Sequence, residues 1–193
     1  MKSIGITGGI GSGKSMVCKI LETLGFPVFY ADSEAKKVMN SDETLKSGII
    51  GLLGDAAYQD NALNRPFVAE KIFGDHALRK SMDSLVHPAV FRAFDQWKAQ
   101  QHAALIFNES ALMFETGSYK RFDATVLVTA DQETRIARVI KRDSVTREQV
   151  LARISHQLSD EAKRKLCSAV IVNDEDVLLI PQVLEMVERF SKS

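Results

Sequence analysis

The chain has 193 residues, 45% of them apolar and 26% charged, with 25 basic side chains matched by 25 acidic ones. That composition predicts one globular domain, since domains run to roughly 100–200 residues and a chain of this size buries about 70% of its unfolded surface. Zero formal charge removes the general counterion-release drive toward nucleic acid or an anionic membrane, leaving only a local basic patch as a route to either, so no nucleic-acid or membrane partner is expected.

Two cysteines, Cys18 and Cys167, are too few and too far apart in sequence for a disulfide framework or a metal cluster, and both are expected as reduced, packed thiols. No apolar run approaches the ~20 residues of a membrane span. The start, Met1 to Thr7, meets Gly8 and Gly9 before a signal-peptide core develops, which predicts a cytoplasmic protein.

In chain order, Ser3-Ile4-Gly5-Ile6-Thr7 predicts a short buried strand, and Val17, Cys18, Ile20, Leu21 and Leu24 share one face of a helix from Lys14 that Gly25 stops. Pro27 to Tyr30 predicts a second strand ending at Ala31-Asp32. From Ser33 to Gln101 the pattern is helical and more polar, with Pro66 suited to a first helical turn and His87-Pro88 expected to interrupt a helix. Ala104–Phe107, Ala124–Val128 and Ala169–Val172 are unalternated apolar runs of the kind buried on both faces of a sheet. A helix with Ile136, Val139 and Ile140 on one face follows Val128, then a charged stretch from Arg142 to Lys165 expected to be mobile, then a last helix from about Val177 to Phe190. Strands alternating with helices predict an α/β fold in three layers around a parallel sheet of about five strands.

The most specific pattern is Gly8-Gly9-Ile10-Gly11-Ser12-Gly13-Lys14-Ser15, which fits GxxxxGK[ST] and lies between the first strand and the first helix. Glycines let the backbone curve tightly enough to aim successive amides at one phosphate, and the following helix adds its N-terminal dipole. Lys14 supplies a point charge for the γ-phosphoryl group, and the Ser15 hydroxyl is a Mg²⁺ ligand in such loops. The loop alone does not choose between a kinase, an ATPase and a GTPase switch. No DxxG switch or NKxD-like guanine reader is present, which disfavours a GTPase.

A small-molecule kinase needs a carboxylate near the γ-phosphate and arginines that close over it. Asp32, just past the second strand, is placed either to accept a proton from an attacking hydroxyl or merely to cap the helix starting near Ser33. Arg138 and Arg142 are four apart on a helical face and form a basic end with Arg135 and Lys141, the ordinary alternative being a solvated face. Glu109, after the Ala104–Phe107 run, is a candidate Mg²⁺ carboxylate, and Glu115 lies in the same neighbourhood. His87 is either an acceptor contact or a structural histidine.

Taken together, these segments resemble the dephospho-coenzyme A kinase family over nearly the whole chain. The extended loop from Ile6 to Ser15, Tyr30-Ala31-Asp32 with Ala35-Lys36, Leu63-x-Arg65, Leu85-Val86-His87-Pro88, Leu112-Met113-Phe114-Glu115, Arg138-x-x-x-Arg142-Asp143, Arg153-Ile154-x-x-Gln157 and Asn173 each match a segment of that family's pattern. The resemblance implies a P-loop kinase fold with a core of about residues 1–32, 102–142 and 166–193, a helical acceptor-binding insertion of about 33–101 and a lid of about 143–165. It implies ATP as phosphoryl donor with Mg²⁺, and dephospho-coenzyme A as the acceptor phosphorylated on its ribose 3′-hydroxyl in the final step of coenzyme A biosynthesis.

On this reading Asp32, Lys14 and Arg142 are the catalytic residues. Gly9, Gly11, Ser12, Gly13, Lys14, Ser15, Met16, Arg138, Arg142 and Asn173 contact the nucleotide. Asp32, Lys36, Arg65 and His87 contact the acceptor, and Ser15 with Glu109 holds the metal. Tyr30 stands where the family has an acidic residue, Lys36 where arginine is common, Met16 where threonine is usual and Ala111 where proline precedes the Leu112–Glu115 segment. Another nucleoside or nucleotide P-loop kinase, or a nucleotide-dependent switch protein, is the alternative, and the surface composition allows a monomer or a small homo-oligomer.

Overall fold

The structure, a computed structural model, describes residues 1–192. It divides into two compact units, one made of Met1–Tyr30 and the chain from Gln101 onward, the other of Ala31–Gln100. The first unit opens with β1 (Lys2–Thr7), α1 (Lys14–Thr23) and β2 (Val28–Tyr30). The second holds α2 (Ala31–Ser41), α3 (Glu43–Leu53), a hairpin of β3 (Tyr58–Gln59) and β4 (Ala62–Leu63), α4 (Arg65–Ile72) and α5 (His76–Ala99). The first unit resumes with β5 (Leu105–Glu109), β6 (Ala124–Thr129), α6 (Gln132–Asp143), α7 (Arg147–Ser155), α8 (Asp160–Arg164), β7 (Ala169–Val172) and α9 (Leu179–Lys192).

Five strands of the first unit form one sheet in the order β2-β5-β1-β6-β7, and every pairing in it is parallel. The apolar runs predict this arrangement, because a strand covered on both faces has no polar side to alternate with. Ile4 and Ile6 of β1 pack with Val17, Cys18 and Leu21 of α1 and with Val183, Met186 and Phe190 of α9, so these two helices cover one face. Gly5 points the opposite way, and a Cβ there would collide with Met113 and Phe122, residues of the segment between β5 and β6 that closes over that point. Phe107 is fully buried in β5 and meets the Phe26 ring edge-on at 5.7 Å.

Parallel pairing brings the strand C-termini to one edge of the sheet. Ile6 and Tyr30 both lie in register with Glu109, and Thr129 with Val172. In an open parallel sheet this edge is where ligands bind, at the point where the chain leaves β1 for strands on either side.

At two places the structure departs from the sequence reading. The charged stretch from Arg142 to Lys165, to which the sequence reading assigns no helix, is not irregular: it contains α7 and α8, and fully buried Val150 packs with Ile136 and Val139 of α6 while Ile10, Ile140, Val145 and Ile154 close around them. Val150 and Ile154, one helical turn apart on α7, outweigh the surrounding charge. Nor does Pro88 break its helix. It lies inside α5, where Met82, Ala89, Val90 and Phe94 are buried, so packing on both sides of the proline holds the helix through the lost backbone hydrogen bond.

Within the second unit, the hairpin turns on Asp60 and Asn61, both with positive φ, the pattern of a two-residue turn that matches strand twist. Asp42 caps α3 through the Leu45 amide and also receives Arg92 of α5 at 2.7 Å, tying the two helices together.

Truncating Phe107 to alanine removes a buried ring from the middle of the sheet, so Phe107→Ala is expected to destabilise the protein by about 3–5 kcal/mol, read as a lower urea midpoint with an unchanged slope.

Candidate active site

The loop between β1 and α1 owes its shape to glycine. Gly11 has φ +78 and Gly13 φ +92, a region that residues with a side chain rarely enter, and a Cβ on Gly13 would sit inside the Asn173 side-chain amide. That amide donates to the Ser12 carbonyl at 2.9 Å, and the Ser12 amide donates to the Gly9 carbonyl at 3.1 Å, which closes the curve.

The helix that the loop leads into starts without a side-chain cap. Gly13 is the N-cap of α1, no side chain accepts from the first amides, and no acidic residue lies in the first turn. Helices α3 to α8 each begin on a side chain that accepts such a bond, namely Asp42, Asn64, Asp75, Asp131, Thr146 and Ser159. The lack of a side-chain cap and an uncompensated dipole at α1 suit this end to an anion.

Two side chains add charge there. Lys14 Nζ donates to the Gly8 carbonyl at 2.9 Å and lies 3.9 Å from Glu109 Oε1, the last residue of β5, with both side chains largely buried. Ser15 and Met16 lie at the start of α1, and both are exposed. Behind them, burial pushes the Cys18 thiol and the Tyr30 phenol above their usual ranges, with Glu109 and Glu22 adding to both shifts, so both groups stay neutral. Neither cysteine is in a disulfide.

From the other side, Arg138 Nη1 donates to the Asn173 carbonyl at 3.0 Å. Arg138, Asn173 and the loop at Ser12 therefore form one connected group. Arg142 is held apart from it: its Nε and Nη2 donate to Asp143 at 2.7 and 3.0 Å, and Arg153 donates to the same carboxylate at 2.9 Å. These two arginines hold the Asp143 carboxyl down at about 2.

The remaining predicted residues belong to the second unit. Asp32 lies in the first turn of α2, two residues past β2, with Lys36 one turn further along, and both are exposed. Because α2 begins at Ala31, Asp32 is a helix residue and not its cap. Arg65 starts α4, is exposed, and lines an open cavity of about 570 Å³ over residues 59–66. His87 is half-buried on α5 with its ring 6.2 Å from that of Phe91.

Three contacts are not foreseen by the sequence pattern. Arg135, grouped in the sequence with the basic end of α6, is buried and reaches the loop. Gln157 bonds the Ile10 amide at 2.9 Å. Lys163, with no exposed surface, forms an ion pair at 3.0 Å with Glu115, whose Oε1 also accepts from the Leu158 amide. The available signal for Arg135 is its place beside Ile136 and one turn before Val139, a lone charge at the edge of an apolar stripe.

The dephospho-CoA kinase family profile matches residues 2–178. The chain is 43% identical to a dephospho-CoA kinase of Salinibacter ruber over 90% of this chain and 89% of that one, and 38% identical to one of Bacteroides fragilis over 95% and 90%. The chain belongs to the dephospho-CoA kinase family. A crystal structure from Thermus thermophilus superposes on this kinase with a TM-score of 0.88 at 34% identity, covering 98% of this chain and 97% of that one. A shikimate kinase of Acinetobacter baumannii, at 16% identity and a TM-score of 0.59, shares the fold.

Among the described residues no cluster of three acidic, histidine or cysteine side chains could hold a metal by itself. A Mg²⁺ ion takes one or two protein oxygens alongside phosphate oxygens and keeps several waters. The Ser15 hydroxyl and the Glu109 carboxylate are the oxygens on offer at the loop. Among the described residues no helix is long and apolar enough to cross a membrane.

The kinase's Asp143 pair is expected to survive mild acid. Because the carboxyl is depressed to about 2 from an ordinary 3.8, the contribution of the pair is fully present above pH 3.8 and is lost as pH falls through 2. A carbon-detected NMR titration should place the Asp143 midpoint near 2, and Arg142→Ala combined with Arg153→Ala should return it toward the ordinary value.

Proposed function

We propose that this kinase transfers the γ-phosphoryl group of ATP to the ribose 3′-hydroxyl of dephospho-coenzyme A, giving ADP and coenzyme A, with Mg²⁺ bound to the nucleotide. The observation that carries the reading is the uncapped start of α1 behind a loop of left-handed glycines, with Lys14 at its mouth, in a chain matched by the family profile from residue 2 to 178. The two unpaired cysteines support a cytoplasmic setting.

In the proposed reaction the loop amides and Lys14 hold the β- and γ-phosphates, and Arg138 with Asn173 holds the nucleotide beyond them. Ser15 and Glu109 would hold a Mg²⁺ bound with the nucleotide, which would neutralise phosphate charge. Asp32 orients the acceptor hydroxyl and takes its proton as the oxygen–phosphorus bond forms, while the bond from the γ-phosphorus to the bridging oxygen breaks and ADP leaves. Arg142 exchanges Asp143 for the transferring group and stabilises the charge that develops there. Its guanidinium is largely exposed in the present pair, and Arg153 stays on the Asp143 carboxylate when Arg142 leaves. The second unit, with Lys36, Arg65 and His87, binds the acceptor, and residues 143–165 act as the lid.

The test measures ADP release from Mg·ATP with dephospho-coenzyme A, beside nucleosides and nucleoside monophosphates. Stimulation by dephospho-coenzyme A alone, with one 3′-phosphate added to the product, is expected; stimulation only by another acceptor would discard the substrate assignment. Asp32→Asn keeps the shape and loses the proton acceptor, and it should lower kcat by roughly 10²–10⁴-fold with ATP binding little changed. Near-normal kcat in that variant would remove Asp32 from the catalytic role.

A further inference from the structure

Ile10, at the bend of the phosphate loop, has both of its backbone polar groups taken by side chains from elsewhere in the first unit. Its N–H donates to Gln157 Oε1 at 2.9 Å, and its carbonyl accepts from Arg135 Nε at 3.0 Å. The Arg135 guanidinium is buried, and its Nη1 donates to Asp160 Oδ2 at 3.2 Å. That carboxylate also accepts from the Thr129 hydroxyl at the end of β6.

The glycines report the same contact. A Cβ on Gly9 would run into the Arg135 guanidinium, and one on Gly11 into the Arg135 carbonyl. The loop therefore lies directly on the side chain and main chain of this residue. Gln157 is fixed in turn, because the next amide, that of Leu158, donates to Glu115 at 2.8 Å.

We propose that Arg135, assisted by Gln157, is a positioning residue for the nucleotide: it grips the Ile10 backbone and so aims the amides of Gly11, Gly13, Lys14 and Ser15 at the phosphates. This rests on reading the loop as the ATP site. Arginine is required by geometry. Only a planar fork presents one donor to a carbonyl and another to a carboxylate in fixed directions, whereas a lysine is a single point charge with freely rotating donors. Turning the Ile10 amide toward Gln157 withdraws it from the phosphates, which leaves the amides beyond it as the anion's donors.

The test compares Arg135→Lys, Gln157→Ala and the double variant with the parent. Mg·ADP is titrated by calorimetry with no acceptor present, and KM for ATP, KM for the acceptor and Tm are measured alongside. Arg135→Lys is expected to weaken Mg·ADP binding and raise KM for ATP by roughly 10-fold, and Gln157→Ala by roughly 3-fold, with KM for the acceptor within about twofold of the parent. The double variant should lose less than the product of the two, because both act through Ile10. Either of two results overturns the assignment: folded variants that bind Mg·ADP like the parent, or losses that follow Tm and affect both substrates equally. Should Arg135→Lys fail to fold, Gln157→Ala decides alone, and parental affinity in it overturns the proposal. Because no acceptor is present in the titration, a mistaken acceptor leaves this result untouched. A parent chain that does not bind Mg·ADP would overturn the ATP reading, and the Arg135 assignment with it.

Discussion

Four positions of the loop after β1 have no room for a side chain. A Cβ would meet the Val128 carbonyl at Gly8, the Arg135 guanidinium at Gly9, the Arg135 main chain at Gly11 and the Asn173 amide at Gly13. The loop is thus drawn onto the ends of β6 and β7 and onto α6, and these elements can approach it only because the parallel sheet delivers all their ends to one edge. Close approach is the condition on which the rest of the site depends: it brings Asn173 and Arg135 within hydrogen-bond reach of the loop backbone.

The helix starts divide labour in the same way. Six helices satisfy their first amides with an Asp, Asn, Thr or Ser side chain, so their ends are electrostatically closed. The α1 start remains open, which costs some local stability and keeps an anion site ready. Fixed donors of this kind need no rearrangement when phosphate arrives, and preorganisation of that sort is a large part of how a phosphoryl-transfer site works.

Much of this is legible in the sequence, for identifiable reasons. The strands can be read because Ala124–Val128 and Ala169–Val172 are unalternated apolar runs, and the loop because its spacing is set by backbone geometry that tolerates few substitutions. Helix α7 is hidden although its capping residues, Thr146 and Gln149, are spelled out three apart, because the charge around Val150 and Ile154 masks a narrow apolar stripe. Pro88 misleads for a different reason: local propensity predicts a break, and the buried residues on either side override it. Helical spacing groups Arg142 with Arg138, but it does not reveal the pairing of Arg142 with Asp143. Adjacent helix residues do not normally face each other, and this pair forms only where α6 ends at Ser144, whose φ of 53 turns the chain.

The ion pair between Lys163 and Glu115 also constrains how such a sequence can change. The lysine has no exposed surface, and one carboxylate oxygen at 3.0 Å is its counter-charge. Replacing either residue alone would strand a buried charge, at a cost of about 3–5 kcal/mol, a large share of the stability of an ordinary domain. Positions 115 and 163, 48 residues apart in the chain, are therefore bound into a single heritable unit. A lineage can leave this pair only by passing through a nearly unfolded ancestor or by exchanging both residues together.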